Sequence, residues 1–267
     1  MSPMNTMTRP TSLLWSVYEH LAMVVGLGAL ALICLTWSPL ALALYPVLPR
    51  PFGRWLGRQA IMRGFRLYVS ILRLLCACRF DLREIDALRD QGPMVIVANH
   101  PSLLDAVLIT SRLPNAVCFM KADIMDNPLF GAGARMARYV RNDNLLGAVL
   151  SCCRELQQGA QIVVFPEGTR TVGYPGNPLN PLSRSTALIA ARAGMPVQTL
   201  LIEFSSPYLG KGWPLWRKPS LPLTCRIRVG KRFEAPRDAR AFTTELEAYF
   251  RAELGPSPTL MASSAVA

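Results

Sequence analysis

The sequence predicts an α/β protein in which helices cover a mixed, largely parallel β-sheet, preceded by an N-terminal apolar helical membrane segment. From about Arg79 onward, short runs rich in β-branched residues alternate with stretches of helical periodicity, which is the pattern of such a sheet. Residues 21–49 contain no charged side chain, which is typical of a segment that meets a bilayer. Two motifs that carry reactive polar side chains follow apolar runs, at 99–105 and 165–170.

The membrane segment is predicted at residues 13–49. Leu21–Ser38 is long enough to approach one bilayer span, and Pro39 is expected to break the helix. Cations are dense after the segment and only Arg9 precedes it, so charge asymmetry predicts an inner (cytoplasmic) membrane location with the rest of the chain in the cytoplasm. A re-entrant hairpin that turns near Pro39 and a core helix of a soluble enzyme are the alternatives.

The stretch after this segment is predicted to be an Arg-rich interfacial helix. Arg54, Arg58 and Arg66 recur at helical spacing among aromatic and aliphatic residues, so their guanidinium groups are expected to face lipid head groups. The alternative is a solvated basic face. The predicted organisation is a flexible N-terminus at 1–12, the membrane segment at 13–49, the interfacial helix at 50–78, the α/β domain at 79–254 and a disordered tail at 255–267.

Within the α/β domain, apolar runs bounded by turn residues mark the strands, and amphipathic stretches mark the helices. Strands are predicted at Phe80–Arg83, Met94–Ala98, Ala116–Met120, Arg138–Arg141, Gln161–Phe165, Val197–Phe204 and Thr224–Val229. Helices are predicted at Ser102–Ser111, Leu129–Ala137, Asn144–Gln158, Ser185–Ala193 and Ala239–Glu253. The Gly- and Pro-rich stretches 171–181 and 208–222 are predicted loops.

Composition narrows the class of partner. The chain has 29 Lys and Arg against 17 Asp and Glu, a net charge of +12, which suits a polyanionic surface. Because 51% of the residues are hydrophobic and no nucleic-acid-binding motif is present, anionic membrane lipids are the predicted partner and nucleic acid is not. The seven cysteines include no Cys-x-x-Cys pair, so neither a disulfide framework nor a zinc site is predicted.

The first motif, Asn99–Asp105, places an imidazole and a carboxylate five positions apart. Removing a proton from an alcohol at neutral pH needs a base with a pKa near 7, and His100 suits that task. Asp105 is expected to fold back from the first helical turn and to stabilise the charged imidazole. A metal site is not predicted because no third ligand is suitably spaced. Ser102 lacks the Gly-x-Ser-x-Gly elbow of a nucleophile.

The second motif is Phe-Pro-Glu-Gly-Thr-Arg at residues 165–170. Arg170 offers a planar, bidentate fork for phosphate, and Gly168 lets backbone N–H groups approach an anion. Glu167 beside a phosphate would be repelled, so it is expected to orient Arg170 or to accept a hydrogen bond from an acceptor hydroxyl. The alternative is a simple ion pair between Glu167 and Arg170 that closes the turn.

Together these motifs resemble those of the 1-acylglycerol-3-phosphate acyltransferase family of bacterial membrane enzymes, over roughly residues 80–205. The family's His-x4-Asp motif matches His100 and Asp105, its second motif matches Arg141, and FPEGTR matches in full. Its fourth motif is half met, because Thr199 stands where a second proline is usual. The basic element before the following helix is replaced by Leu182–Ser185. Both departures concern the acceptor side.

The resemblance implies a glycerolipid acyltransferase-like fold and a mechanism. His100 would deprotonate the glycerol hydroxyl as it attacks the thioester of acyl-CoA or of acyl carrier protein, with Asp105 holding the imidazole. The substrate-binding residues would be Arg141, Glu167, Gly168, Thr169 and Arg170. The two arginines would clamp the phosphate of lysophosphatidic acid. No cofactor other than the thioester cosubstrate is implied.

Three other functions stay open on the sequence. The nearest is an acyltransferase of the same fold that acts on another lyso-lipid, an aminolipid or a pigment, which the altered fourth motif favours. The second is a non-catalytic membrane-surface binding protein, and the third is a hydrolase that uses the same His–Asp pair.

Overall fold

The computed structural model describes residues 12–127 and 131–255. Its helices are α1 Leu13–Leu44, α2 Arg50–Leu75, α3 Leu104–Thr110, α4 Ala122–Asp126, α5 Gly131–Met136, α6 Leu145–Gln157, α7 Ser185–Ala193 and α8 Ala239–Leu254, with a 3₁₀ helix at Arg83–Leu88. Its strands are β1 Cys78–Asp81, β2 Met94–Ala98, β3 Ala116–Met120, β4 Val140–Arg141, β5 Gln161–Val164, β6 Val197–Phe204 and β7 Leu223–Phe233. Nearly all of the predicted flexible terminus and disordered tail lies outside the described residues.

The seven strands form one sheet in the order β1-β7-β6-β2-β5-β3-β4. Strands β6, β2, β5, β3 and β4 pair in parallel. β7 pairs antiparallel with β6 and parallel with β1. The predicted mixed, largely parallel sheet is therefore confirmed.

β2 lies at the centre of the sheet, and both of its faces are covered. Ile96 and Ala98 pack into the cluster on the side of α2 and α3, while Val95 and Val97 pack into the cluster on the side of α6 and α8. All five residues of the strand are fully buried. A central parallel strand needs apolar side chains on both faces, which explains the unbroken run Met-Val-Ile-Val-Ala.

The predicted helices and strands are present, with bounds that shift by a few residues. The 3₁₀ helix and the short helix α4 were not predicted, because both are polar and too short to show a periodicity. The predicted helix Leu129–Ala137 is seen as Gly131–Met136, and its first two residues lie outside the described part of the chain.

Helix α1 runs without a break through Pro39, so the predicted interruption there is wrong. The chain turns instead between Leu44 and Arg50. Proline removes only one backbone donor from a helix interior, and this helix is stabilised by packing on both sides of Pro39. Ala22 belongs to the main core, and Ala41 is buried against α5.

Polar contacts fix the N-terminal part of α1 to the α/β domain. Glu19 forms an ion pair with Lys218 at 2.7 Å and accepts a hydrogen bond from the backbone N–H of Leu221. The Tyr18 hydroxyl donates to the carbonyl of Leu75 at the end of α2. Because α1 contacts the domain near both of its ends, it lies along the domain rather than projecting from it.

Arg58 corrects the prediction that the cations of α2 face lipid head groups. Its side chain is only 3% exposed and pairs with Glu155 of α6, with further hydrogen bonds to Asn115 and to the carbonyl of Ala137. A Cβ on the neighbouring Gly57 would lie 2.7 Å from the backbone nitrogen of Ala137, so glycine permits this close approach. The helical spacing of the arginines could not predict an ion pair with Glu155, which lies 97 positions away in the sequence.

The Arg58–Glu155 pair makes a prediction about stability. Glu155→Ala leaves a buried guanidinium without its counter-charge, which costs on the order of 3 kcal/mol of unfolding free energy and lowers the melting temperature by more than about 5 °C. Thermal unfolding in detergent measures this change. Glu245→Ala, which removes an exposed ion pair with Lys231, is the control and should change little. Equal melting temperatures for the two variants would contradict the assignment.

Candidate active site

Both motifs lie at the carboxyl edge of the sheet, where neighbouring parallel strands end. Val97 of β2 is in register with Val164 of β5, so the segments that follow these strands emerge side by side. The rings of His100 and Phe165 are stacked, with centroids 4.2 Å apart and planes at 22°. This edge is where open α/β sheets bind ligands.

His100 and Asp105 form a hydrogen-bonded pair, as predicted. Nδ1 of His100 lies 2.8 Å from Oδ2 of Asp105. Because a carboxylate can only accept, Nδ1 carries the proton and Nε2 keeps its lone pair. The imidazole is 17% exposed and the carboxylate is fully buried. The pair therefore leaves Nε2 of His100 able to accept a proton from an incoming hydroxyl, while the carboxylate of Asp105 has no contact with solvent.

Asp105 is held where its negative charge is poorly solvated. Burial raises its pKa, and the hydrogen bond and charge of His100, the backbone N–H of Ser102 and the charge of Arg170 oppose that rise. Its second oxygen, Oδ1, has no hydrogen-bond partner among the described residues. The hydrogen bond from His100 is thus one of the few contacts that stabilise the charged form of this buried carboxylate.

Glu167 does not orient Arg170, so that prediction is wrong. Oε1 accepts hydrogen bonds from the backbone N–H of His100 at 2.7 Å and from the Thr171 hydroxyl at 3.0 Å. Oε2 accepts from the backbone N–H of Asn180 at 2.9 Å. Burial raises the pKa of Glu167, and these three donors oppose the rise. The carboxylate fixes the histidine backbone to the FPEGTR loop.

The same two loops are joined a second time through the backbone. The N–H of Thr171 donates to the carbonyl of His100 at 2.7 Å. His100 is therefore held on both sides of its α-carbon, by Glu167 of the second motif and by Thr171 directly after it. Thr171 and Asn180 were missed in the sequence analysis, because they lie in a stretch that showed only loop composition.

Arg170 points toward the loop that follows β6. One guanidinium nitrogen, Nη1, donates to the carbonyls of Leu209 and Gly210 at 2.9 and 2.7 Å. Burial lowers the pKa of Arg170 and the charge of Asp105 raises it, which places the two side chains within electrostatic reach of each other. Gly168, two residues earlier in the turn, has a φ of +67° and open space at its α-carbon. Glycine is the residue that such a backbone favours.

Thr169 is contacted by a cation that the motif analysis did not include among the site residues. The ammonium of Lys211 donates to the Thr169 hydroxyl at 3.0 Å. Lys211 follows directly on the two carbonyls that hold Arg170. The loop after β6 therefore supplies a second positive charge beside the FPEGTR turn.

Arg141 is not brought together with Arg170. It ends β4, two strands from β5, which precedes Arg170, and three strands from β2, which precedes His100; these separations are roughly 10 and 14 Å at the usual spacing of strands. Its guanidinium pairs with Asp126 at 2.7 Å and with Asp143 at 2.5 Å. A phosphate contact by Arg141 stays a prediction.

The remaining reactive groups near the site are engaged in the fold. The Ser102 hydroxyl donates to the carbonyl of Tyr208 at 2.9 Å and is 1% exposed. All seven cysteines are buried. Within residues 12–127 and 131–255, no three His, Cys, Asp or Glu side chains lie together in a way that could hold a metal ion.

Comparison with known proteins matches the part of the chain that carries this site. Residues 79–203 match the family described as Acyltransferase. A 1-acyl-sn-glycerol-3-phosphate acyltransferase of Helicobacter pylori is 28% identical over 140 residues, which are 49% of this chain and 58% of the relative. One of Pseudomonas aeruginosa is 24% identical over 230 residues, 84% of each chain. The chain thus spans little more than half of the first relative and most of the second.

A relative with a different acceptor is equally instructive. The lyso-ornithine lipid O-acyltransferase of Pseudomonas aeruginosa is 29% identical over 189 residues, 68% of this chain and 67% of the relative. Among solved structures, the 1-acyl-sn-glycerophosphate (LPA) acyltransferase PlsC from Thermotoga maritima superposes with a TM-score of 0.66 at 18% identity, over 90% of this chain and 95% of that one. That likeness shows a shared fold.

The position of Glu167 generates a prediction that separates its two possible roles. Glu167→Gln replaces one acceptor oxygen by a donor and loosens the His100 backbone, so kcat should fall by about 10- to 100-fold while KM for the acceptor changes little. Steady-state kinetics measures the split, and Glu234→Gln on the exposed surface is the control. An unchanged kcat with a raised acceptor KM would instead mean that Glu167 touches the acceptor.

Proposed function

Since this chain belongs to the acyltransferase family over residues 79–203, we propose that it acylates the free hydroxyl of 1-acylglycerol-3-phosphate, making phosphatidic acid. The acyl donor is the thioester of acyl-CoA or of acyl carrier protein. The observation that carries the proposal is the buried Asp105 bonded to His100 Nδ1, within electrostatic reach of the Arg170 guanidinium. A base and a phosphate-binding cation then share one sheet edge.

In the proposed reaction, Nε2 of His100 takes the proton of the acceptor hydroxyl as its oxygen attacks the thioester carbonyl. The C–O bond forms, and the C–S bond breaks when the tetrahedral intermediate collapses. The imidazolium returns its proton to the departing thiolate, so His100 ends as it began. Asp105 stabilises the imidazolium between these transfers.

No acyl-enzyme step is proposed. The Ser102 hydroxyl is buried and committed to the Tyr208 carbonyl, and the cysteines are buried. The donor is already an activated thioester, so direct attack by the acceptor is sufficient. The role of the protein is to position the hydroxyl against the thioester and to supply the base.

Arg170 is proposed to bind the acceptor phosphate with the guanidinium nitrogens that do not bind the loop after β6. Lys211, on the exposed side of Thr169, is proposed to add a second cation. Arg141 remains a predicted phosphate contact at a greater distance. These groups would set the acceptor's glycerol hydroxyl near Nε2 of His100.

Membrane association is proposed to occur through the exposed apolar face of α1 and α2. α1 is the one described helix long and apolar enough to cross a membrane, and its exposed side carries large apolar residues, among them Leu21, Leu32 and Leu40. Because α1 contacts the domain near both ends, we propose that it lies in one leaflet rather than crossing both. Thioester donors are cytoplasmic, which favours the cytoplasmic leaflet.

A second candidate function is acylation of a lyso-lipid that has no phosphate, such as lyso-ornithine lipid. The relative of that name motivates it, as does Leu182–Ser185, which stands where the resemblance implied a basic element. In the structure this stretch binds α8, since the N–H of Leu182 donates to Glu247. It thus contributes to packing as well as departing from the family pattern.

The decisive experiment offers purified enzyme a mixture of acyl-CoA and acyl carrier protein donors against a panel of lyso-lipids, with products identified by mass spectrometry. Phosphatidic acid as the main product supports the first proposal, and acylated ornithine lipid supports the second. Free fatty acid alone would show a hydrolase. No thioester consumption would show a non-catalytic binding protein.

His100 generates the first prediction about catalysis. His100→Ala removes the base and should lower acyl transfer by about 10³- to 10⁴-fold, while binding to vesicles stays unchanged. Release of free thiol from acyl-CoA measures the rate. His20→Ala is the matched control, because His20 is the other histidine of the chain and is exposed on α1. Turnover like that of the wild type in His100→Ala would refute the mechanism.

Arg170 generates the second. Arg170→Ala should raise KM for a phosphorylated acceptor by roughly tenfold or more, because a charge-assisted bidentate contact is lost, and leave KM for the donor nearly unchanged. Arg170→Lys keeps the charge without the fork and should be intermediate. An unchanged KM for lysophosphatidic acid in Arg170→Ala would show that Arg170 does not bind the acceptor phosphate.

A further inference from the structure

A sizeable cavity of the described chain is lined by neither His100 nor Asp105. It has a volume of about 810 Å³ and is bounded by the N-terminal turn of α2, by α6 and by edge strand β4. A smaller cavity of about 250 Å³ continues it and shares Pro51, Arg54 and Gln158. We call the two together the basic groove.

Arginine dominates the walls of the basic groove. The large cavity is lined by Arg50, Arg54, Arg135, Arg138, Arg141 and Arg154. Only two carboxylates line it, those of Asp143 and Glu155. Asp143 is paired with Arg141, and Glu155 with Arg58 and Arg54.

Four of the six arginines therefore remain without a counter-charge. Among residues 12–127 and 131–255, no carboxylate pairs with Arg50, Arg135, Arg138 or Arg154. Arg135 donates to the carbonyl of Met125, Arg154 donates to the Ser151 hydroxyl, and Arg138 lies over the Tyr45 ring. Arg50, Arg135 and Arg154 are exposed and Arg138 is half-buried, so four positive charges without a carboxylate partner line one open groove and attract an anion.

Two helix N-termini add to this field. α2 begins at Arg50 and α6 begins at Leu145, directly after Asn144 of the lining. The positive ends of both helix dipoles thus face the groove. Backbone and side chains together favour a phosphate-sized anion over any neutral ligand.

The groove also adjoins the apolar surface that is proposed to enter the membrane. Trp55 lines the smaller cavity and its ring packs on Phe52, with centroids 5.6 Å apart. Both rings are about half exposed, and Val47 in the turn between α1 and α2 is 75% exposed. Aromatic rings beside arginines are typical of the level of lipid head groups.

From these observations we propose that the basic groove binds the phosphate head group of an anionic membrane phospholipid that is not the substrate. The lipid's acyl chains would lie along Phe52 and Trp55, and its phosphate between α2 and α6. The lipid would fix how the α1–α2 pair sits on the membrane. This inference concerns membrane binding and does not depend on which acceptor is acylated.

The donor's nucleotide phosphates are the competing occupant. The groove lining contains neither His100 nor any FPEGTR residue. Arg141, at the carboxyl end of β4, does line it, but its guanidinium is paired with Asp126 and Asp143. The groove also adjoins the exposed rings of Phe52 and Trp55. A membrane lipid matches both the charge and the neighbouring apolar surface. The donor matches only the charge.

The test compares the full-length variant Arg50→Gln/Arg154→Gln with the matched control Arg237→Gln/Arg240→Gln. Both lose two positive charges, but Arg237 and Arg240 lie at the start of α8, which packs on β6 and β7 and does not line the groove. Neither residue of the test pair has an acidic partner to leave behind. Equal melting temperatures for the wild type and both variants establish that each is folded.

Flotation measures binding to vesicles of phosphatidylcholine and to vesicles of equimolar phosphatidylcholine and phosphatidylglycerol. We expect the test pair to lower binding to the anionic vesicles by about tenfold, to leave binding to neutral vesicles unchanged, and the control pair to lose less than about threefold. KM for acyl-CoA in neutral detergent micelles should be unchanged in both variants.

Three results would overturn the proposal. The first is an equal loss in the control pair, which would mean that diffuse charge attracts the membrane. The second is unchanged binding to anionic vesicles in the test pair. The third is unchanged vesicle binding with a raised KM for acyl-CoA, which would assign the basic groove to the donor.

Discussion

The carboxylate of Glu167 holds the proposed active site together. It receives the backbone N–H of His100 on one oxygen and that of Asn180 on the other, so it joins the segment after β2 to the segment after β5. A buried carboxylate is stable only when its lone pairs are satisfied, and here three donors do so. The geometry of the histidine therefore depends on a residue of the other motif. An acidic residue in the FPEGTR turn is explained by this contact, without any contact to substrate.

This arrangement also places two carboxylates and one guanidinium around a single imidazole. Asp105 and Glu167 are both buried, and burial raises the pKa of each. Arg170 is the cation whose charge acts on Asp105. The described side chains near the ring therefore include two carboxylates and one guanidinium. In the proposed reaction the imidazole becomes a cation, and Asp105 is the group whose charge stabilises it.

The sequence predicts well those features that depend on local spacing or on burial. The run Met94–Ala98 is apolar because both faces of β2 are covered, so strand and position could be predicted together. His100 and Asp105 lie five residues apart, and one helical turn brings them into contact. Features that depend on distant partners could not be predicted. Glu167 accepts hydrogen bonds from backbone amides, and a pattern of side chains does not indicate such contacts. Arg58 is paired with Glu155, which lies on a helix far along the chain. Arg141 lies three strands from β2. This position could not be predicted, because a sequence motif does not reveal the order of strands in a sheet.

The loop after β6 is bound to both motifs of the proposed active site. Its carbonyls hold Ser102, the N–H of Leu103 and the guanidinium of Arg170. A Cβ on Gly210 would meet the Pro207 carbonyl at 2.8 Å, so this loop is closely fitted between both motifs. Thr199, by contrast, uses its hydroxyl within the β6–β7 pair, donating to the Lys231 carbonyl, and therefore says little about the acceptor. The His100–Asp105 bond joins two residues of one short segment, but Ser102 and Leu103 between them bind this loop, as Arg170 does. A change in the loop therefore acts on both motifs together.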